Sequence, residues 1–136
     1  MTTAIPLTLH LLVLIGLYEL AAGIAGLTGR IEWRSMTEEF VRSPSLSFVT
    51  GFMVFAIGGV TIINHHHWTD LLAIIVSLIG WIALIEGILM MIAAKPLLIF
   101  FRPLIGSQRA ISLFAAAFGI ILIVLGLTGH ADPTAL

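Results

Sequence analysis

Two carboxylates stand where carboxylates are rare. Glu19 and Glu86 each interrupt a long apolar run of the 136-residue chain, and no Lys or Arg falls within either run. An ionisable side chain at the centre of a membrane costs roughly 2.5–3.5 kcal/mol or more, and is by default a functional candidate. One chemistry open to the pair is proton binding, or a polar site for a small ligand. The plainer alternative is interhelical hydrogen bonding, with Thr50, Ser77 or Ser112 as partners.

A second cluster reads Asn64-His65-His66-His67-Trp68-Thr69-Asp70. Imidazoles are common metal ligands, so His65, His66 and His67 with an Asp70 oxygen make a candidate metal site. Consecutive histidines lack the i, i+4 spacing that aligns ligands on a helix face. A polar loop, with Trp68 anchored at the interface and Thr69 capping the next helix, is the alternative. His10, near the start of the first apolar run, suggests a b-type haem held between His10 and His65. His10 and Glu19 lie about 180° apart on a helix, so they are not expected to share a site. No cofactor is required by any of these motifs.

The elements that carry these residues follow from composition. Sixty per cent of the chain is hydrophobic and 10% is charged. Soluble domains are about half apolar and a quarter charged, so the bilayer must act as solvent. A net charge of −1 gives no electrostatic basis for nucleic-acid binding. The absence of cysteine removes disulfides and thiolate chemistry. Met1–Ala4 contains no Lys or Arg, and the following apolar run exceeds a signal-peptide core, so a cleavable leader is not expected.

Four segments reach the ~20 apolar residues of a spanning helix: about 5–27, 46–63, 71–94 and 110–128. The expected fold is a single all-α domain over 1–136, an integral membrane four-helix bundle. Arg30, Arg34 and Arg42 fall in the first loop, and Lys95, Arg102 and Arg109 in the third. The positive-inside rule makes those loops cytoplasmic and puts both termini and the histidine loop outside. Glu19 and Glu86 lie about 14–15 residues into parallel helices, roughly 21–22 Å deep, so their levels match.

In the first loop, Ser35 and Glu38 have capping-box spacing and a short interfacial helix is expected, with Trp33 at headgroup depth. In the third, Lys95-Pro96 to Arg102-Pro103 reads as a segment lying along the interface. Small residues form ridges: Ala21, Ala25 and Gly29; Ala22 and Gly26, on the side of Gly16; and Ala115 with Gly119. They permit close helix approach, and the surplus on the first helix suggests a partner, another membrane protein or a second copy, besides lipid. Leu14-Ile15-Gly16 aligns with Leu78-Ile79-Gly80, and the same offset aligns Gly23 with Gly87, as parallel repeats about an axis normal to the membrane would.

The run Glu38-Glu39-Phe40-Val41-Arg42-Ser43-Pro44, then Gly51-Phe52, Asn64-His65-His66-His67-Trp68, Ile79-Gly80-Trp81 and Glu86-Gly87 resembles a family of small bacterial inner-membrane proteins. Its members have four helices, a His/Trp motif after the second span and a Gly-Trp in the third. The resemblance covers most of the chain, although a histidine run replaces the family's His-Asn step. It implies a multi-pass protein of the bacterial inner membrane and assigns no catalytic residue. The functional expectation is a non-enzymatic accessory or assembly subunit of a larger membrane complex. The alternatives are a proton-linked transporter using Glu19 and Glu86, and a metal or haem protein using the histidines.

Overall fold

The computed structural model describes residues 1–132. Helix α1 spans Pro6–Leu27, α2 Trp33–Arg42, α3 Pro44–Asn64, α4 Leu71–Phe101 and α5 Gln108–Thr128. A 3-10 turn, Arg102–Leu104, follows α4. Of these, α1, α3, α4 and α5 are long and apolar enough to cross a membrane. Two-residue strands β1, Thr2–Thr3, and β2, His130–Ala131, pair in parallel. The two ends of the described residues therefore meet at the end that carries the histidine loop, and every Lys and Arg falls at the opposite, basic end.

Helix ends are set locally. Pro6 and Pro44 open α1 and α3, where a missing N–H costs nothing. The side chains of Ser43, Asp70 and Ser107 accept hydrogen bonds from the first turns of α3, α4 and α5. Asp70 takes the capping role expected of Thr69, whose hydroxyl donates instead to Asp70 Oδ2. Gly29, at φ 72°, ends α1: its N–H donates to Gly26 O and Arg30 N–H to Ala25 O, a Schellman closure. Gly29 thus lies past the helix and is not part of a ridge.

The Ser35–Glu38 capping box does not form. Helix α2 begins two residues earlier, and Ser35 Oγ donates to Glu32 Oε2. Helix α4 runs beyond its expected end at 94. At Ala93 it breaks (φ −148°, ψ 42°) and then continues to Phe101. Pro96 explains the break, since it has no N–H for the Ile92 carbonyl and its ring crowds that carbonyl.

The spanning helices form two tight pairs, α1 with α5 and α3 with α4. Within each pair the backbones touch through glycine. A Cβ on Gly119 would lie 2.5 Å from Leu20 N and 2.6 Å from Gly16 O. A Cβ on Gly58 would strike Leu84 N, with Gly80 O at 2.9 Å. These contacts are counterparts. The offset that takes Gly16 to Gly80 also takes Leu20 to Leu84 and Gly23 to Gly87. The offset that takes Gly58 to Gly119 also takes Gly51 to Ser112 and Phe55 to Ala116. Accordingly Gly23 faces Ala116 N and Ser112 O, while Gly87 faces Phe55 N and Gly51 O. The faint repeat in the sequence is therefore a repeat in packing, with α1 matching α4 and α3 matching α5.

The pairs join along a seam between α1 and α4. Its core is Leu12, Leu72, Val76 and Leu122, all within 1% exposure, with Ile15 and Ile79 packed against it. Leu12 with Val76 and Ile15 with Ile79 are again counterparts. We expect Gly119→Ala to lower stability by about 1–3 kcal/mol, because backbone atoms cannot yield to the added methyl. Gly106→Ala, with nothing within 4 Å of its Cβ, should be neutral. Unfolding of both variants in mixed micelles checks this.

Candidate functional site

Continuing the seam toward the basic end places Glu19 and Glu86. The stripe of α1 that faces α4 runs Thr8, Leu12, Ile15, Glu19, Ala22, at alternating steps of four and three. The matching stripe of α4 is Leu72, Val76, Ile79, Ala83, Glu86. Each carboxylate is thus matched by an alanine in the other half: Glu19 by Ala83, and Glu86 by Ala22. The two acids lie within electrostatic reach of each other, and Tyr18 feels both.

The seam is no longer closed at this level. Glu19 is half-buried, Glu86 is exposed, and the neighbouring Ile82 is 61% exposed. Neither acid hydrogen-bonds to the protein among the described residues. Of the partners expected from the sequence, Ser77 is engaged with the histidine loop, Ser112 with Trp33, and Thr50 bonds to neither acid. At this level the acids are only partly covered by protein, whereas toward the histidine end the core closes the seam.

That seal is polar as well as apolar. His65, 0% exposed, sits between Thr8 Oγ1, 2.6 Å from Nε2, and Ser77 Oγ, 3.3 Å from Nδ1. Ser77 gives its only proton to the His67 carbonyl at 2.8 Å, so it must accept from Nδ1–H. Nε2 then accepts from Thr8, which fixes one neutral tautomer. Thr3 Oγ1 lies 3.4 Å from Thr8 Oγ1 and donates to Asp70 Oδ2 at 2.9 Å. The cluster ties β1, α1, the histidine loop and α4 together. It superficially pairs a serine with a base, but Ser77 is wholly buried and its proton is committed to a carbonyl, so it serves as a structural tie.

Burial is the largest influence on His65 and holds its imidazole below the usual histidine range. His67 and His66 push the same way, against a backbone hydrogen bond and Asp70. Burial raises Asp70, but hydrogen bonds from Ala73 N, Thr3, Ala4 N and Thr69 outweigh it and hold the carboxyl below its ordinary value.

The histidines named as metal and haem candidates are placed as follows. Both ring nitrogens of His65 are occupied. His66 turns outward with Nδ1 3.1 Å from Ile62 O, its ring stacked on His67 at 5.6 Å between centroids. No group of three His, Asp or Glu side chains converges as a metal set among the described residues. His10 is exposed and lies about 200° around α1 from Thr8, so His10 and His65 do not face a common space.

The small residues are also accounted for. Gly16, Gly26, Ala115 and Gly119 are buried in or beside the α1–α5 seam. Ala22 and Ala25 are half-buried, and only Ala21 faces outward. A second tie, unforeseen from the sequence, closes this pair at the basic end. Trp33 Nε1 donates to Ser112 Oγ at 3.0 Å, and Trp33 N donates to Gln108 Oε1 at 2.9 Å. Gln108 Nε2 donates to the carbonyls of Gly26 and Ile31. Trp33 is thus held by protein and is not a free headgroup anchor.

No family model, curated protein or solved structure matches the chain.

The depressed His65 pKa has a signed consequence. An unfolded histidine takes a proton below about pH 6.5, while the folded His65 resists. The unfolded state then binds more protons, so stability falls as pH drops from about 6.5 toward the folded pKa and is complete above that window. We expect the wild-type melting temperature in detergent to be lower at about pH 5.5 than at about pH 7.5. His65→Gln should lower it at both pH values and flatten the difference. An unchanged pH difference in that variant would assign the effect to the other histidines.

Proposed function

We infer that this chain is a small, non-enzymatic, proton-linked membrane carrier whose working groups are Glu19 and Glu86. The observation that carries the reading is their position. Two carboxylates lie about one helical turn apart in depth on the α1–α4 stripes, beyond the closed core, with no cation paired to them among the described residues. An acid in that setting is costly unless it has work to do, and the two-pair architecture supplies halves that can move about a shared seam. The closed histidine end and the partly covered acid level give the two sides of such a device different access. The positive-inside rule puts the acid level toward the cytoplasm, and the family resemblance favours a bacterial inner membrane.

An accessory or assembly subunit of a larger membrane complex is the second reading. It is favoured by Ala21, a small residue on the outer face of α1 about one turn from the half-buried Ala25. Its support is narrower than the sequence suggested, because Gly16, Gly26, Ala115 and Gly119 are buried in or beside the α1–α5 seam, Ala22 lies on the stripe toward α4 and Gly29 caps α1.

Two experiments test these statements. Vesicles containing the protein and a pH-sensitive dye should show proton flux that Glu19→Gln and Glu86→Gln each reduce at least tenfold without loss of folding. Flux unaffected by either change, or co-purification of a stoichiometric partner that both variants retain, would favour the subunit reading. The chain has no cysteine, so single cysteines report topology. Thr69→Cys should react with an impermeant maleimide in intact cells and Ser35→Cys only after permeabilisation; the reverse pattern would invert the orientation.

A further inference from the structure

The duplicated packing leaves one difference at the basic end. In the α1–α5 pair the last turn of the seam is covered by the Trp33 indole, which lies against Gly26 and Ser112 beside Gln108. The counterparts of Gly26 and Gln108 in the α3–α4 pair are Met90 and Ser47. No indole covers them. They border instead a groove of about 270 Å³, whose other walls include Phe40, Val41, Met91 and Lys95.

The groove has two chemistries along its length. Phe40 and Val41 of α2 face Met90 and Met91 of α4, an apolar slot lined by adaptable side chains. Its rim is the broken turn at Ala93, where Pro96 cannot donate to the Ile92 carbonyl, next to the exposed Lys95. The surrounding end of the molecule is basic, with six Lys and Arg against Glu32, Glu38 and Glu39. Only Arg102 among those cations is paired within the described residues, with Glu38 at 3.3 Å.

We propose that this groove binds one anionic phospholipid, with part of an acyl chain between α2 and α4 and its phosphate at Lys95. Charge complementarity selects the occupant. A zwitterionic lipid would fill the slot equally well but leave Lys95 without a net counter-charge, and a soluble anion would not occupy the apolar walls. Lipid seated there would support the α4 break and hold α2 against the pair that Trp33 does not lock. The site is separate from Glu19 and Glu86 and does not depend on their role.

Native mass spectrometry of the full-length protein in mild detergent, titrated with phosphatidylglycerol or phosphatidylcholine of the same chain length, tests this. One phosphatidylglycerol should bind in preference to phosphatidylcholine by about fivefold, the weight of one basic side chain near a membrane surface. Lys95→Gln should abolish the preference, whereas Arg34→Gln, outside the groove, should preserve it. Val41→Trp, which fills the slot, should weaken both lipids. If that variant does not fold, Lys95→Gln alone decides. Equal binding of the two lipids, equal losses in Lys95→Gln and Arg34→Gln, or undiminished binding to folded Val41→Trp would each overturn the proposal.

Discussion

Backbone contact at glycine is the constraint on which the rest of the molecule depends. In lipid there is little hydrophobic gain from joining one apolar helix to another, so association rests on close van der Waals approach. Gly16, Gly23 and Gly119 supply that approach for α1 and α5, and Gly51, Gly58 and Gly87 for α3 and α4. Because the Gly119 and Gly23 contacts recur at Gly58 and Gly87 with the same kinds of backbone atom, the bundle consists of two similarly packed pairs, each built from the first helix of one hairpin and the second of the other. The six-residue histidine loop joins α3 directly to α4, whereas no loop joins α1 directly to α5. Both pairs meet through a different surface, the α1–α4 seam.

Polar groups are distributed around that seam in a way packing alone does not require. At the histidine end, His65, Thr8, Ser77, Thr3 and Asp70 satisfy one another, and the apolar core continues directly beneath them. At the basic end, Gln108 and Trp33 lock one pair. Between these ties, Glu19 and Glu86 have no protein partner among the described residues. The buried polar side chains are all hydrogen-bonded among the described residues, so the two partly covered acids stand apart from the ties that hold the seam, and the proposed carrier role rests on them.

The spans were legible because twenty apolar residues in a row have few alternatives, whereas helix rise alone put the two acids at one level and the packing register puts them about one turn apart. The repeat was visible in only four aligned residues, since Leu and Ile recur by chance in so apolar a chain; glycine contacts revealed it. What the sequence could not convey was pairing. It left Ser77 and Ser112 as candidates for the carboxylates, because helix neighbours are set by three-dimensional arrangement. It likewise read His65 as exposed loop, since nothing local marks Thr8 and Ser77 as its partners. Thr8, a hydroxyl early in an apolar span, was the one available signal. The break at Ala93 was foreshadowed by Pro96, but its position three residues earlier depends on the carbonyl that proline obstructs.

Paired cysteines in an otherwise cysteine-free chain measure most directly whether Glu19 and Glu86 share the α1–α4 seam. Leu12→Cys with Val76→Cys should form a disulfide on mild oxidation, because those positions lie in the closed part of the seam. Glu19→Cys with Glu86→Cys should join only through a short bifunctional thiol reagent. Failure of the second pair to join by either route, while the first pair closes, would contradict the placement of the two acids on a common seam.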